Sequence, residues 1–122
     1  MRLILTGDPY LALRATKGQS IWTDAHMTKV KYLRLIEDAS SQQIHGPVHA
    51  DIIFYMKPNE YTPRLSYHQA LPIMSELIRM IELLITGELI SSRASLASVS
   101  ASKIYDDEPR VDITITSLKR KR

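Results

Sequence analysis

The 122-residue sequence contains no cysteine. That excludes disulfides, thiol nucleophiles and cysteine-bound zinc, and it agrees with a reducing compartment. There is no long apolar run either. The longest apolar segment, Leu71 to Leu89, is broken by Ser75, Glu76, Arg79, Glu82 and Glu88, which argues against a membrane span. The first apolar run, Leu3-Ile4-Leu5, stops at Gly7-Asp8-Pro9, so no signal peptide is expected. Internal repeats are absent, and residues 91–102 are the one serine-rich stretch. The body also lacks a basic signature. The net charge is +3, but the last four residues, Lys119-Arg120-Lys121-Arg122, carry +4 and leave 12 basic against 13 acidic residues elsewhere. Such a tail attracts phosphates through counterion release, or simply aids solubility. The length fits one domain, residues 1–118, followed by the basic tail at 119–122, and suffices for a core without covalent staples.

What is present is regular. Arg2 to Thr6 reads as a short strand closed by Gly7-Asp8-Pro9, with a polar loop at 10–22. Thr23-Asp24 reads as a helix start. Met27, Val30, Leu33 and Ile36 then recur near helical spacing, with Tyr32, Leu35 and Ala39 widening the stripe. Val48, Ala50, Ile52, Phe54 and Met56 alternate with more polar residues, predicting a strand with one apolar face. A second helix is expected over roughly 67–86, with Pro72 near its start and Gly87 as its cap. Its apolar circumference is so broad that it belongs to the core or to a subunit interface. Residues 93–105 fit a strand of small side chains. After the turn Asp106-Asp107-Glu108-Pro109, Val111, Ile113 and Ile115 mark the clearest strand. The expected order is β-α-β-α-β-β, an α+β fold with two helices packed on one mixed sheet.

The chemistry-bearing residues are less decisive. His26, His45, His49 and His68 match no metal-ligand spacing and read as ordinary surface or partly buried side chains. Ser91 and Ser92 sit in no nucleophile elbow and have no evident base. Asp106-Asp107-Glu108 is acidic, but turn chemistry accounts for it. Glu76 and Glu82 are offset by about 120° on their helix and cannot easily share a cation. Arg14, Lys17, Lys57, Arg64, Arg79, Arg93 and the tail are candidate phosphate contacts. Trp22, Tyr55, Tyr61 and Tyr67 lie among them in sequence, a pattern that suits nucleic acid but also any soluble protein.

The order of these segments resembles the RusA family of Holliday junction resolvases, over nearly the whole chain. The residues that carry the likeness are the opening RLILTGDP, the basic loop ALRATKGQ with the aromatic IW, and the helix KVKYLRLIEDA. They continue with the strand GPVHADIIFYMKP, the helix SELIRMIELLITG ending in Gly, and RVDITIT near the end. The resemblance implies a homodimeric, junction-binding α+β domain of phage or mobile-element type, in the cytoplasm of a prokaryotic host. The family's chemistry rests on an Asp-x-Asp-Asn segment opening the central helix and an Asp-Asp pair after the helix Gly, which bind metal. Counted back from Gly87, those acids fall on Ile73 and Ser75, the Asn on Glu76, and the family's basic residue on Arg79. The later pair falls on Ser91 and Ser92.

Replacing those carboxylates by Ile and Ser removes the charge that holds Mg²⁺, and with it the means to generate hydroxide or stabilise a leaving oxygen. The expectation is therefore a non-cleaving, RusA-like protein that binds branched or replication-related DNA, with no metal and no other cofactor. One alternative is an active Mg²⁺-dependent junction endonuclease with relocated acids such as Glu76, Glu88 and Asp51. Another is a decoy or inhibitor that binds a protein partner.

Overall fold

Two of the strands follow directly from alternation. The computed structural model describes residues 1–15, 23–40, 43–58, 67–68 and 72–118. In it β2 (Val48–Met56) buries Val48, Ala50, Ile52, Phe54 and Met56, while β4 (Arg110–Ser117) buries Val111, Ile113 and Ile115. Together with β1 (Arg2–Thr6) and β3 (Leu96–Tyr105) they form one four-stranded sheet in the order β1-β4-β2-β3. β4 runs antiparallel to β1 and β2, and β2 runs parallel to β3, so the sheet is mixed. The fold is α+β, as the element order predicts.

Among the described residues three α-helices accompany the sheet: α1 (Pro9–Leu13), α2 (Asp24–Ala39) and α3 (Met74–Ile85). The parallel β2–β3 pair needs a crossover connection, and α3 supplies it. The inward residues of β2 and β4 share one core with Tyr32 and Ile36 of α2 and with Leu77, Ile81, Leu84 and Ile85 of α3. The opposite sheet face carries Arg2, Asp51, Tyr55, Asp112 and Thr114, and none of these is buried.

The structure departs from the sequence reading in four places. The loop at 10–22 begins as helix α1. Asp8 accepts a hydrogen bond from the Tyr10 N–H and Pro9 occupies the first turn, so the turn signal Gly7-Asp8-Pro9 is also a helix start. The stripe on α2 is centred differently. Met27 and Leu33 lie at the surface, because positions three apart slip about 60° each time and Met27 ends about 180° from Ile36. The buried line runs through Tyr32 and Ile36, with Ala25 and Lys29 partly covered above it. The second long helix starts at Met74, not near 67. Tyr67 instead bridges Ile104 at the edge of β3, and Ile73 is the extended residue before the helix. Finally, β3 begins at Leu96, after a single 3-10 turn at Arg93–Ser95.

Two glycines set corners. Gly87, at φ +88°, follows Thr86, the C-cap of α3, and lets the chain reverse, with its N–H donating to the Ile90 carbonyl at 2.8 Å. Gly7, at φ +120°, lies against α2, where a Cβ would meet Thr28 Cγ2 at 3.0 Å. The Tyr32 hydroxyl donates to the Gly7 carbonyl at 2.6 Å and ties α2 to the end of β1.

Candidate functional site

A concave feature among the described residues lies between the helices. It is an open cleft of 490 Å³ lined by Ala12, Leu13 and Ala15 from α1 and its exit, Lys29 from α2, and Glu76, Arg79, Met80, Leu83 and Leu84 from α3. Its construction follows from helix geometry. On α3, Glu76, Arg79 or Met80, and Leu83 recur at i, i+3 or i+4, and i+7, which keeps them on one side. The neighbouring set Leu77, Ile81, Leu84 and Ile85 turns into the core. On α2, Lys29 lies one turn before Tyr32 and in line with it, so its stem follows the helix towards α1 and α3.

The cleft has an apolar floor and a charged rim. Leu83 is 53% exposed, unusual for a leucine on a helix whose other apolar residues are largely absorbed by the sheet. The rim carries two cations, Arg79 and Lys29, and one carboxylate, Glu76. Among the described residues neither Arg79 nor Lys29 is joined in an ion pair within 4.0 Å. Arg14 closes α1, between the lining residues Leu13 and Ala15, and its guanidinium stands 5.3 Å from the Tyr10 ring centre.

The remaining candidate cations are elsewhere. Arg93 is 2.9 Å from Glu82 Oε2 and is neutralised there, beyond the far end of α3. Lys57 is exposed just past the end of β2. Lys17, Arg64 and the tail residues Lys119, Arg120, Lys121 and Arg122 lie outside the described residues, as do Trp22 and Tyr61. Two arginines that the sequence did not single out are also neutralised: Arg2 by Asp112 at 2.7 Å and Arg110 by Asp106 at 3.2 Å. Arg110 also lies 3.8 Å over the Tyr55 ring, which covers that aromatic face.

The positions that would answer to the family's metal-binding acids are not brought together. Ile73 and Ser75 sit at the start of α3, where Ile73 is 50% exposed and offers no side-chain cap. Ser91 and Ser92 lie beyond the other end of the helix, exposed, within reach of the Ser95 hydroxyl at 3.3 and 3.4 Å. The 12 residues of α3 span about 18 Å, which separates the two groups. The substitute acids are equally dispersed. Glu76 is in the cleft, Glu88 is past the helix end 3.4 Å from the Ser40 hydroxyl, and Asp51 is on the opposite face of the sheet. Among the described residues no three His, Cys, Asp or Glu side chains form a group able to hold a metal ion.

Two further groups have perturbed titration. His68 packs on Tyr105 with ring centres 4.9 Å apart, and its Nδ1 is buried without a hydrogen-bond partner among the described residues. Burial, and then the nearby Lys103 ammonium, push its pKa below the usual histidine range. Asp106 is held below the usual carboxylate range by the Glu108 N–H, with Arg110 adding to the effect. Neither group lines the cleft. Lys29 is a charged cleft residue that the sequence reading did not single out, as are the α1 residues Ala12 and Leu13 and the following Ala15.

Comparison of the chain with protein-family models gives no match, and comparison with curated proteins gives none either. Fold and site together define a two-layer α+β domain with a helix-side cleft whose rim cations are unneutralised among the described residues. No described helix is long and apolar enough to cross a membrane.

Proposed function

We propose that the protein is a RusA-like, non-cleaving nucleic-acid-binding protein of a prokaryotic cytoplasm, and that it takes the phosphate backbone of branched or replication-related DNA along the helix-side cleft. The observation that carries this reading is the pairing of Arg79 and Lys29 on one open rim, with Arg14 at its edge, while Arg2, Arg93 and Arg110 are each held by a carboxylate. Unpaired cations contribute to phosphate binding because they release counterions without first breaking an internal ion pair. Arg79 is also the position that answers to the family's basic residue. Ile73, Ser75, Ser91 and Ser92 carry no carboxylate where the resemblance would put the metal-binding acids, which favours binding without Mg²⁺-dependent cleavage. The basic tail would add non-specific attraction.

A second reading has its own observation. Leu13, Met80, Leu83 and Leu84 give the cleft an apolar floor, which suits a protein partner better than a phosphate backbone. Binding and cleavage of a synthetic four-way junction and a linear duplex, with and without Mg²⁺ or Mn²⁺, separates the readings. The proposal predicts metal-independent junction binding and intact strands. Metal-dependent cutting would return the protein to the nuclease class. Absence of binding at low salt would leave the protein-partner reading in its place.

A further inference from the structure

The apolar floor and the cationic rim of the cleft call for one occupant that answers both. Leu13, Met80, Leu83 and Leu84 form the floor, while Arg79 and Lys29 stand on the rim with no carboxylate within 4.0 Å among the described residues. A duplex offers mainly its sugar-phosphate surface to an opening of 490 Å³, because its bases are stacked and paired. Phosphates laid on the floor lose water and gain no partner there, and Leu83, 53% exposed, stays wet beside them. An apolar peptide face covers the floor but leaves the two cations unanswered.

Glu76 narrows the choice. It stands exposed in the first turn of α3, one turn before Arg79 and Met80, and joins no cation within 4.0 Å among the described residues. A carboxylate repels a phosphate and an acidic side chain alike, so its place on this rim is a cost for a purely anionic ligand. For a nucleobase it is an acceptor. Guanine is the DNA base whose pairing edge presents two adjacent N–H donors, and a carboxylate accepts both. The single imino donor of thymine is flanked by carbonyl oxygens. In adenine and cytosine the amino donor lies next to a ring-nitrogen acceptor. Each of those three edges sets a lone pair against Glu76.

We propose that the cleft holds one unpaired guanine of a DNA strand. Its base face lies on Leu13, Met80 and Leu83, its pairing edge on the Glu76 carboxylate, and its flanking phosphates on Arg79 and Lys29. This rests on the reading of the cleft as a nucleic-acid site and adds to it the state and the identity of the base. Apolar side chains are suitable walls for a base taken out of its stack, and a base that is already single-stranded enters with least unpairing cost. The source is a strand, not a free nucleotide, because the two cations belong to different helices, α2 and α3, and can take successive phosphates.

Competition binding of the full chain at low salt tests this. The probes are deoxythymidine oligonucleotides of one length carrying a single central guanine, inosine, adenine or cytosine, or none. The guanine strand should bind about tenfold more tightly than the all-thymidine strand, the gain of a good bidentate pair. Inosine lacks the amino donor and should keep only part of that gain. Glu76→Gln should erase the guanine preference and strengthen binding of the all-thymidine strand, because a charge that repels phosphate is gone. A damaged fold lowers both, so the opposite signs identify a base-reading role. Leu83→Asn should weaken the guanine strand while leaving the salt slope, which counts phosphates, as it was. Asp51→Asn, on the opposite face of the sheet, should change neither. Guanosine monophosphate should compete far less well than the guanine strand. Salt-dependent DNA binding without a guanine preference, a preference that survives Glu76→Gln, or competition by guanosine monophosphate equal to that of the strand would each overturn the proposal and leave the phosphate site in place. Absence of salt-dependent binding to every DNA tested would overturn both.

Discussion

At the scale of single residues, two contacts have measurable consequences. The Tyr32 hydroxyl is buried and donates to the Gly7 carbonyl, and burial raises its pKa, so it remains a neutral donor. Tyr32→Phe leaves that carbonyl without its partner and should cost about 1–3 kcal/mol in urea unfolding, the penalty of a buried group left unpaired. Because the ring is kept, little cavity is made, and a loss of that size belongs to the hydrogen bond. His68 gives a pH signature. Its charged form is disfavoured in the folded state, so the unfolded chain takes up the proton first. The stability that His68 contributes is complete above its ordinary pKa of 6.5 and falls as the pH drops below it. His68→Gln should flatten that part of the stability profile. Asp106 works in a lower window. Its pKa is depressed, so its contribution is present above 3.8 and disappears as the pH falls through its folded value. Asp106→Asn should therefore leave the slope near pH 6 unchanged and reduce the one below 4.

Elements differ in how far the sequence revealed them. β2 and β4 were legible because one face of each is buried and the other is not, and alternation is then the direct imprint of the sheet. α3 was legible in its core positions, yet its start was not. Apolar periodicity carries no signal for where a helix begins, whereas Ile73 in extended backbone after Pro72 does so only once the chain is seen. α1 was missed for the converse reason. Asp8-Pro9 serves both a turn and a helix start, and a five-residue helix has too short a period to detect. Of the site, Arg79 and Glu76 were visible, since spacing on one helix places them together. Lys29 entered the cleft through the packing of α2 on α1, which is tertiary. The place of β3 at the end of the described sheet was invisible, because edge and centre strands are distinguished by topology and not by composition. Gly87 gives this scale its prediction. At φ +88°, Gly87→Ala should destabilise the fold by roughly 1–2 kcal/mol in thermal or urea melts, since an L side chain is strained there. Nothing lies within 4 Å of its added Cβ, so the cost is one of backbone conformation alone.

For the whole molecule, the charge balance and the two layers act together. The body is nearly neutral, and most of the ion pairs described lie on the open sheet face or at the strand ends, where they cancel. What is left unpaired among the cleft residues lies on the helix side, so attraction for an anion is local and not a property of the net charge. The salt dependence of binding is therefore the most direct test. The measurement is the slope of log binding constant against log salt concentration for a four-way junction, comparing wild type with Lys29→Ala/Arg79→Ala. Removing two phosphate-binding cations should reduce the slope by about 2, with an unchanged melting profile. An unchanged slope in the double variant would contradict the cleft as the phosphate site, even if the junction still binds.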